Sequence, residues 1–186
     1  MCELCEENLT DHGLARRRLV FAGTAAGALL LAPTLALADR RRALSFYHTH
    51  TGERLRVTYA ERNRPLPDAL EEISHFLRDF RSGEAHPIDP QLLDILHQLQ
   101  EATGGQGPYE IISAYRSPQT NEMLRSNGNG VAQRSLHMEG RAIDVRLRGV
   151  ETRKLREAAL RLQAGGVGYY QRSNFIHVDT GRVRFW

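Results

Sequence analysis

From Asp68 to Arg81 the apolar residues Ala69, Leu70, Ile73, Phe76, Leu77 and Phe80 recur every three or four positions, the spacing that lays one stripe along a helix. Asp89-Pro90 opens a second such pattern in N-cap and N1 order, with Leu92, Leu93, Ile95, Leu96 and Leu99 running to Gly104-Gly105. Beyond Gly105 most of the apolar runs are too short for helices. Tyr109 to Tyr115, Ala142 to Leu147, Val167 to Tyr170 and Phe175 to Asp179 read as strands. Arg116-Ser117-Pro118 starts a short helix through Leu124, Asn127 to Gly130 form a loop, and Thr152 to about Ala164 form a further helix. Ahead of the first helix, Ala43 to Tyr47 and Arg54 to Tyr59 form a hairpin around Thr51-Gly52, with His48 and His50 flanking the turn as solvated polar residues or a ligand pair. The order implies an α+β fold: a small, mainly antiparallel sheet packed against helices.

Arg16, Arg17 and Arg18 stand before an apolar run from Leu19 to Ala32, and Pro33 and Ala36-Leu37-Ala38 follow it. A charged segment, an apolar segment and a small-x-small site make residues 1–38 an export signal, cleaved before Asp39. Arginines ahead of a Gly/Ala-rich core are those of the twin-arginine route, which carries proteins already folded; the expected destination is the periplasm. The run is short against the ~20 apolar residues of a membrane span, so no stable span is expected after cleavage; an uncleaved anchor is the alternative. Residues 39–186 then form one domain, long enough to bury a core. Cys2 and Cys5 leave with the signal, so any metal site in the domain must be built from His, Asp and Glu.

With 41% hydrophobic and 25% charged residues the chain is globular, which excludes disordered, collagenous and coiled-coil classes. Its formal net charge of +3 is interspersed rather than clustered. That distribution suits an anionic polymer such as cell wall and gives no footprint for nucleic acid.

One constellation carries chemistry. His137 precedes Asp144 by seven residues, with Gly140 and Ala142 between them. On a strand entered through Gly140, Ile143 and Val145 face the core while Ala142 and Asp144 face the other way. In Phe175 to Asp179 the same alternation turns His177 and Asp179 away from Ile176 and Val178. Neighbouring strands can thus present His137, Asp144 and His177 to one point. Three N/O ligands with a fourth position open are the layout of a catalytic zinc; on spacing alone, they are equally polar residues of an exposed sheet face.

Ser-x-His-x-x-Gly-x-Ala-x-Asp from Ser135 to Asp144, followed by a strand histidine, resembles the zinc D-alanyl-D-alanine carboxypeptidase superfamily. That superfamily includes peptidoglycan amidases and endopeptidases and shares a core with the Hedgehog signalling domain. Within it the chain is most similar to the murein endopeptidase K group of Gram-negative bacteria, through His50 to Glu53, Tyr115 to Ser117, Gly165 to Tyr170 and Ser173 to Gly181. The resemblance implies that His137, Asp144 and His177 bind Zn2+, and that peptidoglycan peptide stems are the substrate. It implies an endopeptidase of cross-links between meso-diaminopimelate residues. A D-Ala-D-Ala carboxypeptidase is one alternative, and a zinc-containing wall-binding module without catalysis is the other.

The second alternative rests on one departure. Many relatives carry Glu-x-x-His, the glutamate being the general base, and here Asn174 stands in its place. An amide takes no proton from water at neutral pH. Asp179 is the first replacement candidate, or else a residue orienting His177 from about 7 Å along the strand. Glu139 is the second. Arg116, at the end of a strand and before a Pro turn, suits a bidentate grip on a substrate carboxylate, as in related carboxypeptidases, or a surface ion pair. Ser135 contacts substrate or caps its turn, and Tyr169 and Tyr170 line or support the cleft.

Overall fold

A computed structural model describes residues 41–128 and 131–186. The expected signal with Arg16, Arg17 and its cleavage site lies outside the described residues, as do Asn129 and Gly130 of the glycine loop.

Strands β1 (Arg42–His48), β2 (Arg54–Glu61) and β3 (Arg64–Pro65) lead into helices α1 (Pro67–Phe76) and α2 (Pro90–Thr103). Strand β4 (Tyr109–Ser113), α3 (Pro118–Ser126) and a 3-10 turn at Leu136–Glu139 follow. The chain then forms β5 (Ala142–Leu147), α4 (Thr152–Leu162), β6 (Gly166–Tyr170), β7 (Phe175–Asp179) and β8 (Arg184–Phe185). All strands join one sheet in the order β3-β2-β1-β4-β5-β7-β6-β8. The pairs are antiparallel except β1 with β4 and β6 with β8. The α+β class is therefore as expected, but the sheet is larger than the sequence suggested.

Helices α1, α2 and α4 cover one sheet face. Leu44, Phe46, Tyr59, Tyr109, Ile111, Ile143, Val145, Ile176 and Val178 point into that layer and meet Ile73, Leu92, Leu96, Leu99 and Leu155. Period-two alternation then sends Asp144, His177 and Asp179 to the opposite face.

Helix α2 runs between the signals read in the sequence. The Asp89 side chain accepts from the Gln91 amide at 2.9 Å, and Gly104 closes the helix in the left-handed conformation at φ 68°. Helix α1 ends at Phe76 although the apolar spacing continues to Phe80. Leu77 is fully buried, and Phe80 stacks on His50 at 4.0 Å, so both pack from a loop. Asp79 breaks the helix there: its carboxylate accepts from the Arg81 amide at 3.0 Å and the Ser117 amide at 2.9 Å. Those bonds compensate more than another helical turn would.

Candidate active site

Strands β5 and β7 are adjacent and antiparallel, with Asp144 directly opposite His177. His137 arrives from the 3-10 turn, whose end at Gly140 has φ 65°. A β-carbon there would lie 2.1 Å from the Pro87 carbonyl oxygen, so only glycine lets the chain turn into β5 against that loop. The Arg116 amide donates to the His137 carbonyl at 3.1 Å, which fixes the turn to the start of α3.

Each histidine is held from behind. The Nδ1 of His137 lies 2.7 Å from the Ala114 carbonyl oxygen, which can only accept, so Nδ1 carries the proton and Nε2 presents a lone pair. The Nε2 of His177 donates to Asp179 Oδ2 at 2.9 Å, leaving Nδ1 to face the site. These two inward nitrogens are 3.2 Å apart. Asp144 Oδ1 lies 2.9 Å from His177 Nδ1, and Oδ2 lies 3.4 Å from His137 Nε2.

Burial pushes the Asp144 carboxyl up, but the two imidazoles outweigh it and hold it well below the ordinary carboxylate range. Burial likewise opposes charge on His177, yet Asp144 and Asp179 raise its pKa above the usual value. Two buried carboxylates around His177 thus favour positive charge at this point. Two imidazole nitrogens and one carboxylate oxygen, all within 4.8 Å of one another, form the donor set of a divalent metal of the zinc type. No other such group of three exists among the described residues.

Asp179 is fully buried and saturated. Its Oδ1 accepts from the amides of Gly166 (3.1 Å) and Gly181 (2.8 Å) and from Arg184 Nη1 (3.0 Å). Its Oδ2 accepts from His177 and from Arg184 Nη2 at 2.8 Å. Five donors leave it no free lone pair with which to take a proton from water. The distance of about 7 Å along the strand describes Cα positions; the two side chains lean along the strand and meet. Glu139 is exposed and pairs with Arg141 at 3.1 Å, outside the cleft. Asn174 holds the turn before β7 at φ 52°, and its side-chain oxygen accepts from the Thr152 hydroxyl beside α4.

In front of the three donors lies a cleft of about 370 Å³ lined by Arg116, Arg134, Ser135, Tyr170, Phe175, Arg184 and Trp186, among others. Arg116 is buried. Its Nη atoms make only long bonds to Asn121 (3.3 Å) and Ser113 (3.4 Å), and its Nε has no protein partner. This is not the surface ion pair that the sequence left open. Ser135 is buried at the cleft wall and its hydroxyl makes no capping bond. Tyr170 stacks on Phe175 at 4.6 Å and accepts from Trp186 Nε1 at 3.1 Å.

Arg184 and Trp186 were missed in the sequence. Their only local signal is alternation, two positions apart at the end of the chain's last short strand. His48 and His50 belong to no group of three metal-ligating side chains among the described residues: the backbone amides of His50 and Thr51 donate to His48 Nδ1, and His50 stacks on Phe80.

Comparison with known proteins follows the same lines. The peptidoglycan L,D-endopeptidase MepK of Escherichia coli K12 is 42% identical over 175 residues, covering 92% of this chain and 96% of the relative. The probable MepK of Haemophilus influenzae is 40% identical over 176 residues, covering 92% of this chain and 94% of the relative. A solved structure, the L-Ala D-Glu endopeptidase ChiX of Serratia marcescens, aligns with a TM-score of 0.35 at 16% identity, over 51% of this chain and 68% of that one. The family model described as peptidoglycan L,D-endopeptidase MepK matches residues 36–186. With that match across all the described residues and two relatives at this identity, the chain belongs to the MepK family of M15 peptidases.

Proposed function

We propose that the chain is a zinc-dependent peptidoglycan endopeptidase that hydrolyses peptide cross-links, those between meso-diaminopimelate residues first among them. The observation that carries this reading is the trio of inward-facing donors, two of them oriented from behind, at the floor of an arginine-lined cleft. His137, Asp144 and His177 would hold the zinc. Bound there, zinc supplies Lewis acidity and an acidified water.

The remaining roles belong to the chain's own side chains. Asp179 orients His177. Arg116 offers a buried guanidinium with donor capacity to spare, suited to a substrate carboxylate. The Tyr170 oxygen takes the Trp186 N–H, so its own proton is free to point into the cleft, and the Ser135 hydroxyl is likewise uncommitted to its turn. Residues 1–38 would deliver the folded domain to the periplasm through Arg16 and Arg17. Export of the Arg16→Lys/Arg17→Lys precursor at wild-type levels would sink that part.

A second reading is favoured by one observation. Asp144 is the only carboxylate lining the cleft among the described residues, so no separate acidic base stands beside the donors. In this reading the domain binds zinc and wall without cleaving it. Zinc-loaded protein incubated with cross-linked sacculi decides. Soluble cross-link fragments, lost on chelation and restored by zinc, support the endopeptidase. Release of D-Ala alone supports a carboxypeptidase, and co-sedimentation without release supports the binding module.

A further inference from the structure

The segment Gly165 to Tyr170 has no role in the donor set, yet two of its glycines face the site and are crowded. A β-carbon on Gly166 would lie 2.3 Å from Arg184 Nη1 and 2.4 Å from Asp179 Oδ2. One on Gly168 would lie 2.7 Å from the Trp186 ring. All three distances are shorter than real β-carbons adopt, so the bare floor of β6 is what admits Arg184 and Trp186. Arg184 lies on β8 and Trp186 directly follows it, held against β6 by bonds from the Tyr169 amide to the Trp186 carbonyl (3.0 Å) and from the Trp186 amide to the Val167 carbonyl (3.2 Å).

From that position Arg184 forks onto both oxygens of Asp179, and Asp179 takes the Nε2 proton of His177. The Trp186 ring lies against the His177 ring with centroids 5.2 Å apart, while the Arg184 guanidinium sits 5.0 Å over the Trp186 ring. The groups that hold Asp179 and the His177 ring from behind thus come largely from β6, β8 and the residue after β8. Neither strand contributes a donor.

We propose that Gly166, Gly168, Arg184 and Trp186 form a clasp that sets metal affinity by locking His177, with Arg184 as its positioning residue. The inference builds on the assignment of His177 as a metal ligand in the proposed function. A guanidinium fork fixes the Asp179 carboxylate in plane, and a fixed carboxylate makes His177 a better-aimed donor. Arg184 lines the cleft as well, so its role as a substrate contact is the competing explanation, and the test separates the two.

Zinc affinity is measured on metal-free full domain by competition with a chromogenic chelator, and the d–d spectrum of the cobalt(II)-loaded protein reports ligand geometry. Arg184→Gln and Gly166→Ala should each weaken zinc binding by about 10–100-fold, the range for partners behind a metal ligand, and should shift the cobalt spectrum. Arg184→Lys, which keeps the charge but not the fork, should fall between them and wild type. Gly168→Ala, whose β-carbon would strike the Trp186 ring first, serves if the Gly166 variant fails to fold and should likewise weaken zinc binding. Folded variants that bind zinc at wild-type affinity with an unchanged cobalt spectrum overturn the clasp. So does a rise in KM for cross-linked muropeptides without a change in zinc affinity, since that makes Arg184 a substrate contact. Wild-type protein that binds zinc tightly and releases nothing from sacculi defeats the peptidase reading and leaves the clasp intact.

Discussion

At the scale of single residues, the division of labour between Asp144 and Asp179 follows from what each carboxylate has left to offer. Asp144 meets two imidazole nitrogens directly at the floor of the cleft, whereas Asp179 is wrapped by five donors and touches the site only through His177. Asp179→Asn should therefore lower zinc affinity about 10–100-fold, with turnover recovering at saturating zinc. A loss of about 10²–10⁴ that persists at every zinc concentration would be the signature of a general base and would reverse that assignment. Arg116 makes a different prediction because its guanidinium is buried yet poorly partnered. Arg116→Lys removes the two-pronged geometry while keeping charge, so KM for a carboxylate-bearing stem should rise well beyond any fall in kcat. An effect on kcat alone would place Arg116 in the chemistry instead.

Among the elements, the junctions matter more than the helices and strands themselves. The loop after α1 is tied to the entry of α3 by the buried Asp79 carboxylate, which accepts from the Ser117 and Arg81 amides. Burial alone would raise its pKa, but these bonds and one from Thr120 outweigh it and lower it below the ordinary aspartate value. A carboxyl whose pKa is depressed by folding stabilises the protein above its unfolded value of about 3.9 and loses that contribution as pH falls through the folded value. Asp79→Asn should thus destabilise the domain at pH 7, and the gap to wild type should shrink in denaturant titrations below about pH 4. A gap independent of pH would mean that the loop is held by packing alone. Gly140 is the other junction. An alanine there would take a left-handed conformation costing roughly 1–2 kcal/mol and would also strike the Pro87 carbonyl. Gly140→Ala should lose more stability than the conformational term by itself, as measured by chemical unfolding.

For the molecule as a whole, a turn and two strands, the last of them 33 residues beyond Asp144, are pinned to one point, so a cation bound there should stabilise the entire fold. Zinc at about 100 times its dissociation constant adds roughly 2.7 kcal/mol by mass action. For a domain of this size that raises Tm by roughly 5–10 °C. Calorimetry with and without chelator checks the shift, which His177→Ala should abolish. A zinc-dependent shift of the same size in that variant would place the ion elsewhere.

The parts of this architecture that were legible in the sequence are those set by neighbours in the chain. The N-cap at Asp89 and the stop at Gly104 depend on residues a few positions away, and they stand as read. The alternation in β5 and β7 is equally local, which is why the common face of Asp144, His177 and Asp179 could be read before any strand was paired. The end of α1 could not, because the spacing from Ala69 to Phe80 is the same whether Leu77 and Phe80 pack from a helix or from a loop. The choice is made by Ser117, 38 positions beyond Asp79. Nor could the role of Asp179 be read, since its five donors are supplied by β6, β7, β8 and the turn between the last two. A hydrogen-bond acceptor's freedom to do chemistry depends on how many donors surround it. That count is a property of strand order in the sheet, which tertiary structure alone decides.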